Sequence, residues 1–405
     1  MQRFEGRNAL LLEGIDAVAA DKLRDTGFAV KSEKGKIDPN TLTKRILADK
    51  VTLLGIRTGS EIPAELLLET KGILKAVGVF SIGIDKVNTK AALQSDVAVF
   101  NAPFSNGRSV AELAVASSVM LLRNINERSA KLQAGTWDKS PKSSHEARQK
   151  TLGIVGYGNI GSQISPLAEA FGMKVMYFDL APKASIGNAQ PAVSLDELLG
   201  NSDVVTLHLD GKSKKPIIGK AELAKMKKGA YLVNLSRAST VDTLALIDSI
   251  ESGHLAGAHI DVFDKEPNNG DQFVSPLLNN PKILITPHIG GATEEAQRHA
   301  AEYTSGKLLD YMETGNTAGS VNFPNVTLPT MEGTHRFTNL HEDVEGVIAA
   351  ISKVLAEQKV NITGQALGTR DKHGYVIVDT NQPVQGELVG KLAEVPGSIG
   401  VRILY

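Results

Sequence analysis

Residues 151–170 read TLGIVGYGNIGSQISPLAEA, and their order decides the fold of the middle of the chain. A short apolar run, Thr151 to Val155, leads into Gly156-Tyr-Gly158-Asn-Ile-Gly161 and then into a helical pattern through Ala170. Strand, glycine turn and helix in this succession open a nucleotide-binding β-α unit. Gly156 permits the tight turn, Gly158 lets backbone approach a pyrophosphate, and Gly161 lets the helix pack close, while the helix N-terminus offers free N–H groups and a positive dipole. The next strand pattern, KVMYFDL, reaches Asp179, 23 positions beyond Gly156. A carboxylate there can bind both hydroxyls of an adenosine ribose and repels a 2′-phosphate, so NAD is expected over NADP. Ordinary turn glycines beside an exposed strand-end acid are the plainer reading, but strand, spacing, helix and acid occurring together weigh against it.

Working outward, residues 150–287 alternate strand patterns (TLGIVGYG, KVMYFDL, SDVVTLHL, AYLVNLS, LAGAHIDVF, KILITPH) with turns or helices, which predicts a six-strand doubly wound sheet. Upstream, from Ala9 to Pro103, runs such as ALLLEG, VTLLGI and AVGVFSIG alternate with helix-like segments, the mark of β-α units on a parallel sheet. Ser109 to Gly135 reads as one long connecting helix with Ser109 as N-cap and Glu112 in the capping-box position. Another helix is expected from about Thr293 to Glu313. Residues 316–335, rich in Gly, Thr, Asn and Pro, read as a linker. Beyond them the pattern strand, helix, strand, strand, helix, strand predicts a ferredoxin-like βαββαβ module.

Three groups follow strands downstream of the glycine loop: NLSRAS with Arg237, AHIDVFDKEP with Asp261 and Glu266, and TPHIGG with His288. Carboxyl ends of parallel strands line one crevice, so these side chains can converge on one small molecule. Oxidising a secondary alcohol sends a hydride to nicotinamide and a proton to a base of near-neutral pKa. His288 suits that role, with Glu266 holding its tautomer and stabilising its cation, and Arg237 pairing bidentately with a substrate carboxylate. His208 is a candidate for the cofactor crevice; His145, His254, His259, His299 and His373 are read as structural.

Composition removes other classes. At 405 residues the chain has room for two or three cores, and 42% hydrophobic with 22% charged residues is ordinary for a globular protein. Lys plus Arg (44) nearly cancels Asp plus Glu (45), which leaves no overall field for nucleic acid or an anionic membrane. The absence of cysteine excludes disulfide frameworks, thiolate metal sites and thiol nucleophiles, and no metal is expected. The longest apolar stretch, Leu113 to Leu122, is about half what a membrane span needs, and a cytoplasmic protein is expected.

The ordered Arg, Glu and His, together with GIRTGS (55–60), AVGVFSIGIDKVN (76–88), FNAPFSNGRSVAELAVASSVMLLR (100–123), SHEARQKTLGIVGYGNIG (144–161), LAGAHIDVFDKEP (255–267), ITPHIGGATEEAQ (285–297) and PGSIGVRILY (396–405), resemble the D-isomer-specific 2-hydroxy-acid dehydrogenases over essentially the whole chain. The likeness is nearest to the bacterial branch with a C-terminal ACT domain. It implies a flavodoxin-like, discontinuous substrate domain (1–103 with 292–326), a Rossmann NAD domain (104–291) and an ACT domain (327–405). It also implies a homotetramer that oxidises D-3-phosphoglycerate to 3-phosphohydroxypyruvate in L-serine biosynthesis, with a side reduction of 2-oxoglutarate to 2-hydroxyglutarate. The cofactor set implied is Gly156, Gly158, Asn159, Ile160, Gly161, Asp179, His208, Leu235, Ser236, Arg237, Asp261, His288, Ile289, Gly290 and Gly291, with Asp261 on the nicotinamide amide. A phosphorylated acid carries up to three negative charges, so cations besides Arg237 are expected. Arg57 matches a family substrate arginine, Lys139 beside Trp137 a basic residue near the site, and the backbone of Ser81, Ile82 and Gly83 a carboxylate cradle.

Family positions that bind an L-serine effector fall on His341, Asp343 and Asn361. The family motif His-Glu-Asn-x-Pro-Gly reads here His341-Glu-Asp343-Val-Glu345-Gly346, with an anion in place of a neutral amide and a glutamate in place of proline. Serine regulation and a purely assembling role for the module both stay open. A further departure is Ala238, where the family commonly has glycine after the arginine. Two other readings stand beside the main one: a related dehydrogenase acting on glycerate, lactate or 2-hydroxyglutarate, and a catalytically silent nucleotide or amino-acid sensor.

Overall fold

The computed structural model describes residues 4–210, 213, 215–267 and 270–405. The chain divides into two compact units, one made of residues 1–105 and 297–405, the other of residues 106–296.

The first unit begins with a parallel sheet of β1 (Asn8–Leu11), β2 (Ala29–Ser32), β3 (Val51–Ile56), β4 (Ala76–Val79) and β5 (Ala98–Asn101), in the order β2-β1-β3-β4-β5. This is the flavodoxin-like order. Every residue of β4 and β5 is buried: β4 is central in the sheet, and β5, at its edge, is covered there by Ser320 and Asn322, which bond the backbone of Val97 and Val99. Helices start where the sequence supplies caps: Asp16 accepts from the Val18 N–H, and Asp38 accepts from the Thr41 N–H ahead of a first-turn proline.

The second unit holds β6 (Thr151–Val155), β7 (Lys174–Phe178), β8 (Gln190–Pro191), β9 (Val204–Leu207), β10 (Tyr231–Asn234), β11 (Gly257–Ile260) and β12 (Ile283–Ile285). All pairs are parallel, in the order β12-β11-β10-β9-β6-β7-β8. The predicted six strands are present, and a two-residue edge strand, β8, is added. Strand order reverses between β6 and β9, which opens a crevice at their carboxyl ends.

The C-terminal module places β13 (His335–Glu342), β14 (Ile362–Arg370), β15 (His373–Thr380) and β16 (Ser398–Ile403) in the antiparallel order β14-β15-β13-β16, with helices Val347–Glu357 and Glu387–Ala393. This is the predicted βαββαβ arrangement. One face of the sheet, with Phe337, Val376 and Val378, packs under those helices. Its other face, with Leu340, Tyr375 and Ile377, joins the core of Phe100, Tyr311 and Phe323.

Two expectations are corrected. The long helix Ser109–Gly135 is two helices, Gly107–Leu122 and Ile125–Gln133, parted at Asn124 with φ 52°. The first helix ends because the His145 N–H and the Ser144 hydroxyl take the carbonyls of Leu122 and Arg123. Ser109 is not its cap either; it lies inside the first turn, and its hydroxyl pairs with that of Thr293 at 2.8 Å. The expected linker is fixed structure over its first half: Asn322 bonds the backbone of Val97 and Val99, and the Thr317 hydroxyl donates to Pro324 O. The buried Arg336 pairs with Asp379 through Nε (2.6 Å) and Nη2 (2.8 Å), and spends its remaining donors on the carbonyls of Thr314, Leu328 and Pro329. Glycine, proline and asparagine there signal irregular backbone, which is a different property from looseness.

Candidate active site

In the second unit the glycine loop sits where strand order reverses. Gly156 has φ 90°, and a β-carbon on it would lie 2.3 Å from the carbonyl oxygen of His208, at the end of β9. A β-carbon on Gly161 would lie 2.2 Å from Gly156 O, whereas one on Gly158 would meet open space. The turn therefore has no room at its base and an open mouth, with Gly158 as the N-cap of helix Asn159–Ala170. Asp179 braces the loop by accepting from the Tyr157 N–H at 2.8 Å and the Ala181 N–H at 3.1 Å. Each carboxylate oxygen keeps a lone pair for a ribose hydroxyl. His208 bonds Thr206 through Nε2, while its Nδ1 is shielded from solvent without a partner, and burial pushes this imidazole down to about 3. An open helix N-terminus, a strand-end acid and an unpartnered donor or acceptor on the crevice wall fit a dinucleotide. Asn159 and Ile160 supply the first helical turn, and Leu235 and Ser236 follow β10.

Arg237 leaves β10 through a pinned turn. Asn234 Oδ1 accepts from the backbone and hydroxyl of Ser236, while Arg237 O accepts from Asn234 Nδ2 and the Thr240 hydroxyl. The guanidinium is exposed and donates to Ser236 O at 2.7 Å. Ala238 opens the short turn Ala238–Thr240 without positive φ.

His288 and Glu266 face each other, with Nδ1 at 2.8 and 2.9 Å from the two carboxylate oxygens. The carboxylate accepts only, so Nδ1 carries a proton and Nε2 is left with its lone pair in the neutral ring. Backbone strain marks the place: His288 has φ 54°. The turn is held by Asp261, whose Oδ1 accepts from the Thr286 hydroxyl and the Ile289 N–H and whose Oδ2 accepts from the Gly290 N–H. Asp261 is 1% exposed, and its carboxylate faces this loop. A β-carbon on Gly291 would lie 2.1 Å from Asn106 Nδ2. Sequence reading had no means of seeing Thr286 or the Asp261 clamp as parts of one turn, because they stand 25 residues apart.

The first unit holds a cluster of its own. Arg57 follows β3, and Ser81, Ile82 and Gly83 follow β4, its neighbour in the sheet. The Ser81 hydroxyl donates to Gly83 O at 3.1 Å, and Ile82 O accepts from Asn101 Nδ2. The loop after β3 hangs on Glu13, whose oxygens accept from the N–H groups of Arg57, Thr58, Gly59 and Ser60 at 2.6–3.1 Å. Desolvation alone would raise the Glu13 carboxyl, but hydrogen bonds from Gly59, Ser60 and Arg57 outweigh it and hold it below its ordinary value. Glu13 is a residue that sequence reading missed; its only signal was an acid directly after a buried strand, in ALLLEG. Lys139 belongs to the second unit, in an exposed segment outside any helix or strand.

The three effector candidates do not meet within one chain. His341 is buried at the end of β13 beside Asn339, and burial, opposed by Asn339 and Asp343, lowers its imidazole. Asp343 N–H bonds Lys372 O, whereas Asn361 N–H bonds Asn381 Oδ1. The register sets Glu342 opposite His373 and Ile362 opposite Thr380, so the groups stand about seven residues, or ~23 Å, apart along the sheet.

Comparisons with known proteins agree with this geometry. Residues 115–290 match the D-isomer specific 2-hydroxyacid dehydrogenase NAD-binding domain. The D-3-phosphoglycerate dehydrogenase of Escherichia coli K12 is 41% identical over 401 residues, covering 98% of this chain and 97% of that protein. The enzyme of the same name from Dictyostelium discoideum is 40% identical over 398 residues, with 98% and 97% covered. Among solved structures, a D-2-hydroxyisocaproate dehydrogenase aligns with a TM-score of 0.70 at 26% identity, covering 78% of this chain and 99% of that one.

Proposed function

Because the chain belongs to the D-isomer-specific 2-hydroxyacid dehydrogenases, with D-3-phosphoglycerate dehydrogenases as whole-length relatives, we propose that it oxidises D-3-phosphoglycerate to 3-phosphohydroxypyruvate with NAD, the opening reaction of L-serine biosynthesis. The observation that carries the reading is the Glu266–His288 pair at 2.8 Å, built on strand ends of the sheet whose first turn is the nucleotide loop.

When bound, NAD supplies the acceptor for the hydride that leaves C2 with its electron pair. The substrate hydroxyl gives its proton to Nε2 of His288 as the C–O bond becomes a carbonyl, and Glu266, already on Nδ1–H, stabilises the imidazolium formed. Arg237 clamps the carboxylate and draws charge toward the developing carbonyl oxygen. We assign the phosphate to Arg57, on the loop that Glu13 organises, with Lys139 as a second cation, and the carboxylate cradle to the backbone of Ser81–Gly83. Reduction of 2-oxoglutarate would use the same proton path in reverse.

The C-terminal βαββαβ module is read as an ACT domain, and the assembly as a cytoplasmic homotetramer. Among the described residues no helix is long and apolar enough to cross a membrane. A serine site composed of His341, Asp343 and Asn361 requires two chains, since one chain holds these groups at opposite ends of its sheet. Asp343 would face a ligand carboxylate with like charge, which favours assembly over serine inhibition.

The test is reduction of 3-phosphohydroxypyruvate followed by NADH consumption, in the wild type and in His288→Ala. The wild type should turn over and the variant should lose at least about a hundredfold in kcat. Equal rates would remove His288 from the base position.

A further inference from the structure

His259 takes no part in the proton transfer above, yet both its ring nitrogens are engaged. Its side chain is fully buried on β11; Nδ1 lies 2.7 Å from the hydroxyl of Ser117, in helix Gly107–Leu122, and Nε2 lies 2.8 Å from the hydroxyl of Thr286. Thr286 has one hydroxyl proton, and Asp261 Oδ1, at 2.5 Å, can only accept it. Thr286 Oγ1 must then accept from His259 Nε2–H. Burial favours the neutral ring, lowering it to about 4 although Asp261 pulls the other way. A neutral ring protonated at Nε2 presents a lone pair at Nδ1 toward Ser117, whose single hydroxyl proton also faces the Leu113 carbonyl at 2.6 Å, so the direction is set on the Thr286 side alone. Hydrogen bonds thus run in one direction from the ring onward: His259 to Thr286, Thr286 to Asp261.

The chain ends on the turn that carries the base. Asp261 also accepts from the N–H groups of Ile289 and Gly290, immediately after His288. A non-glycine residue stays at φ 54° only where its surroundings over-determine it. Asp261 supplies that determination from below, and its own orientation depends on Thr286, which His259 orients in turn.

We propose that His259 is a positioning residue, forming with Thr286 and Asp261 a buried hydrogen-bond relay that holds the left-handed turn aiming His288 at Glu266. The proposal rests on His288 being the base, and wild-type turnover beside His288→Ala, measured first, tests that reading separately. His259→Leu fills similar space without polar atoms, while His259→Gln returns an amide N–H toward the place of Nε2. Thr286→Val and Thr286→Ser form the second pair, the first keeping shape and the second keeping the hydroxyl.

The relay predicts that His259→Leu and Thr286→Val lower kcat by at least about tenfold, as small misplacements of a catalytic group do. NADH affinity, read by fluorescence titration, should stay within about twofold, and the Gln and Ser variants should recover to within about threefold of the parent. A packing role would instead lower the melting temperature of the Leu and Val variants while kcat of the folded protein stayed within about twofold, and that result overturns the relay. Loss of kcat in all four variants without recovery by either conservative change also counts against it. Should His259→Leu fail to fold, the Thr286 pair decides.

Discussion

Replacing Glu266 by glutamine keeps the shape of the carboxylate and removes its charge, so Nδ1 of His288 loses the partner that fixes its tautomer and stabilises its cation. We expect kcat to fall by about 10²- to 10⁴-fold with little change in KM, read from initial rates of NADH formation. Glu13→Gln acts elsewhere: four N–H groups lose an anionic acceptor, and Arg57 loses its fixed loop. There the expected change is a rise in KM for the phosphorylated acid of at least about tenfold, with kcat nearly unchanged. At this scale the sequence was legible where chemistry demands a residue type. Arg237, Glu266 and His288 stand out because each follows a strand, and the structure pairs two of them, Glu266 and His288. Glu13, Thr286 and His259 were not legible, since an acid, a hydroxyl and an imidazole acquire their roles only from partners 25 to 142 residues away.

Among elements, the loop between β6 and helix Asn159–Ala170 was the most readable part of the chain, because geometry dictates its glycines one by one. Their substitutions should separate. Gly161→Ala puts a β-carbon onto Gly156 O and should lower the melting temperature, while Gly158→Val, with open space in front of it, should leave that temperature nearly unchanged and raise the KM for NAD. The reverse pattern would mean the nucleotide does not approach the loop as described. Asp179→Ala should raise the NAD KM and narrow the preference for NAD over NADP. Helix ends were harder to read. Periodicity ran across Asn124 without interruption, and only tertiary bonds from the segment around Ser144 and His145 stop the helix at Leu122. The supposed linker shows the same limit, because its asparagine and threonine residues are spent on the edge of β5 and on each other.

For the whole molecule, the C-terminal module shares a core with the first parallel sheet. A chain cut after residue 330 would expose Tyr311 and Phe323 and should melt at a lower temperature or aggregate; an unchanged melting temperature would contradict the shared core. Acid should also weaken the second unit. The folded His259 is held at about 4, below its ordinary 6.5, so the unfolded chain binds the proton first as pH falls. Its contribution is complete above 6.5 and declines down to about 4, at up to about 1.4 kcal/mol per pH unit, a slope that denaturant titrations should find flattened in His259→Leu. Neither this coupling nor the core shared by module and sheet is legible in the sequence, because both arise between segments far apart in the chain. The decisive measurement is kcat/KM with NAD for D-3-phosphoglycerate beside D-glycerate, D-lactate and D-2-hydroxyglutarate. Preference for the phosphorylated acid by at least about a hundredfold, lost in Arg57→Ala, is the predicted result; equal or faster turnover of an unphosphorylated acid would contradict it.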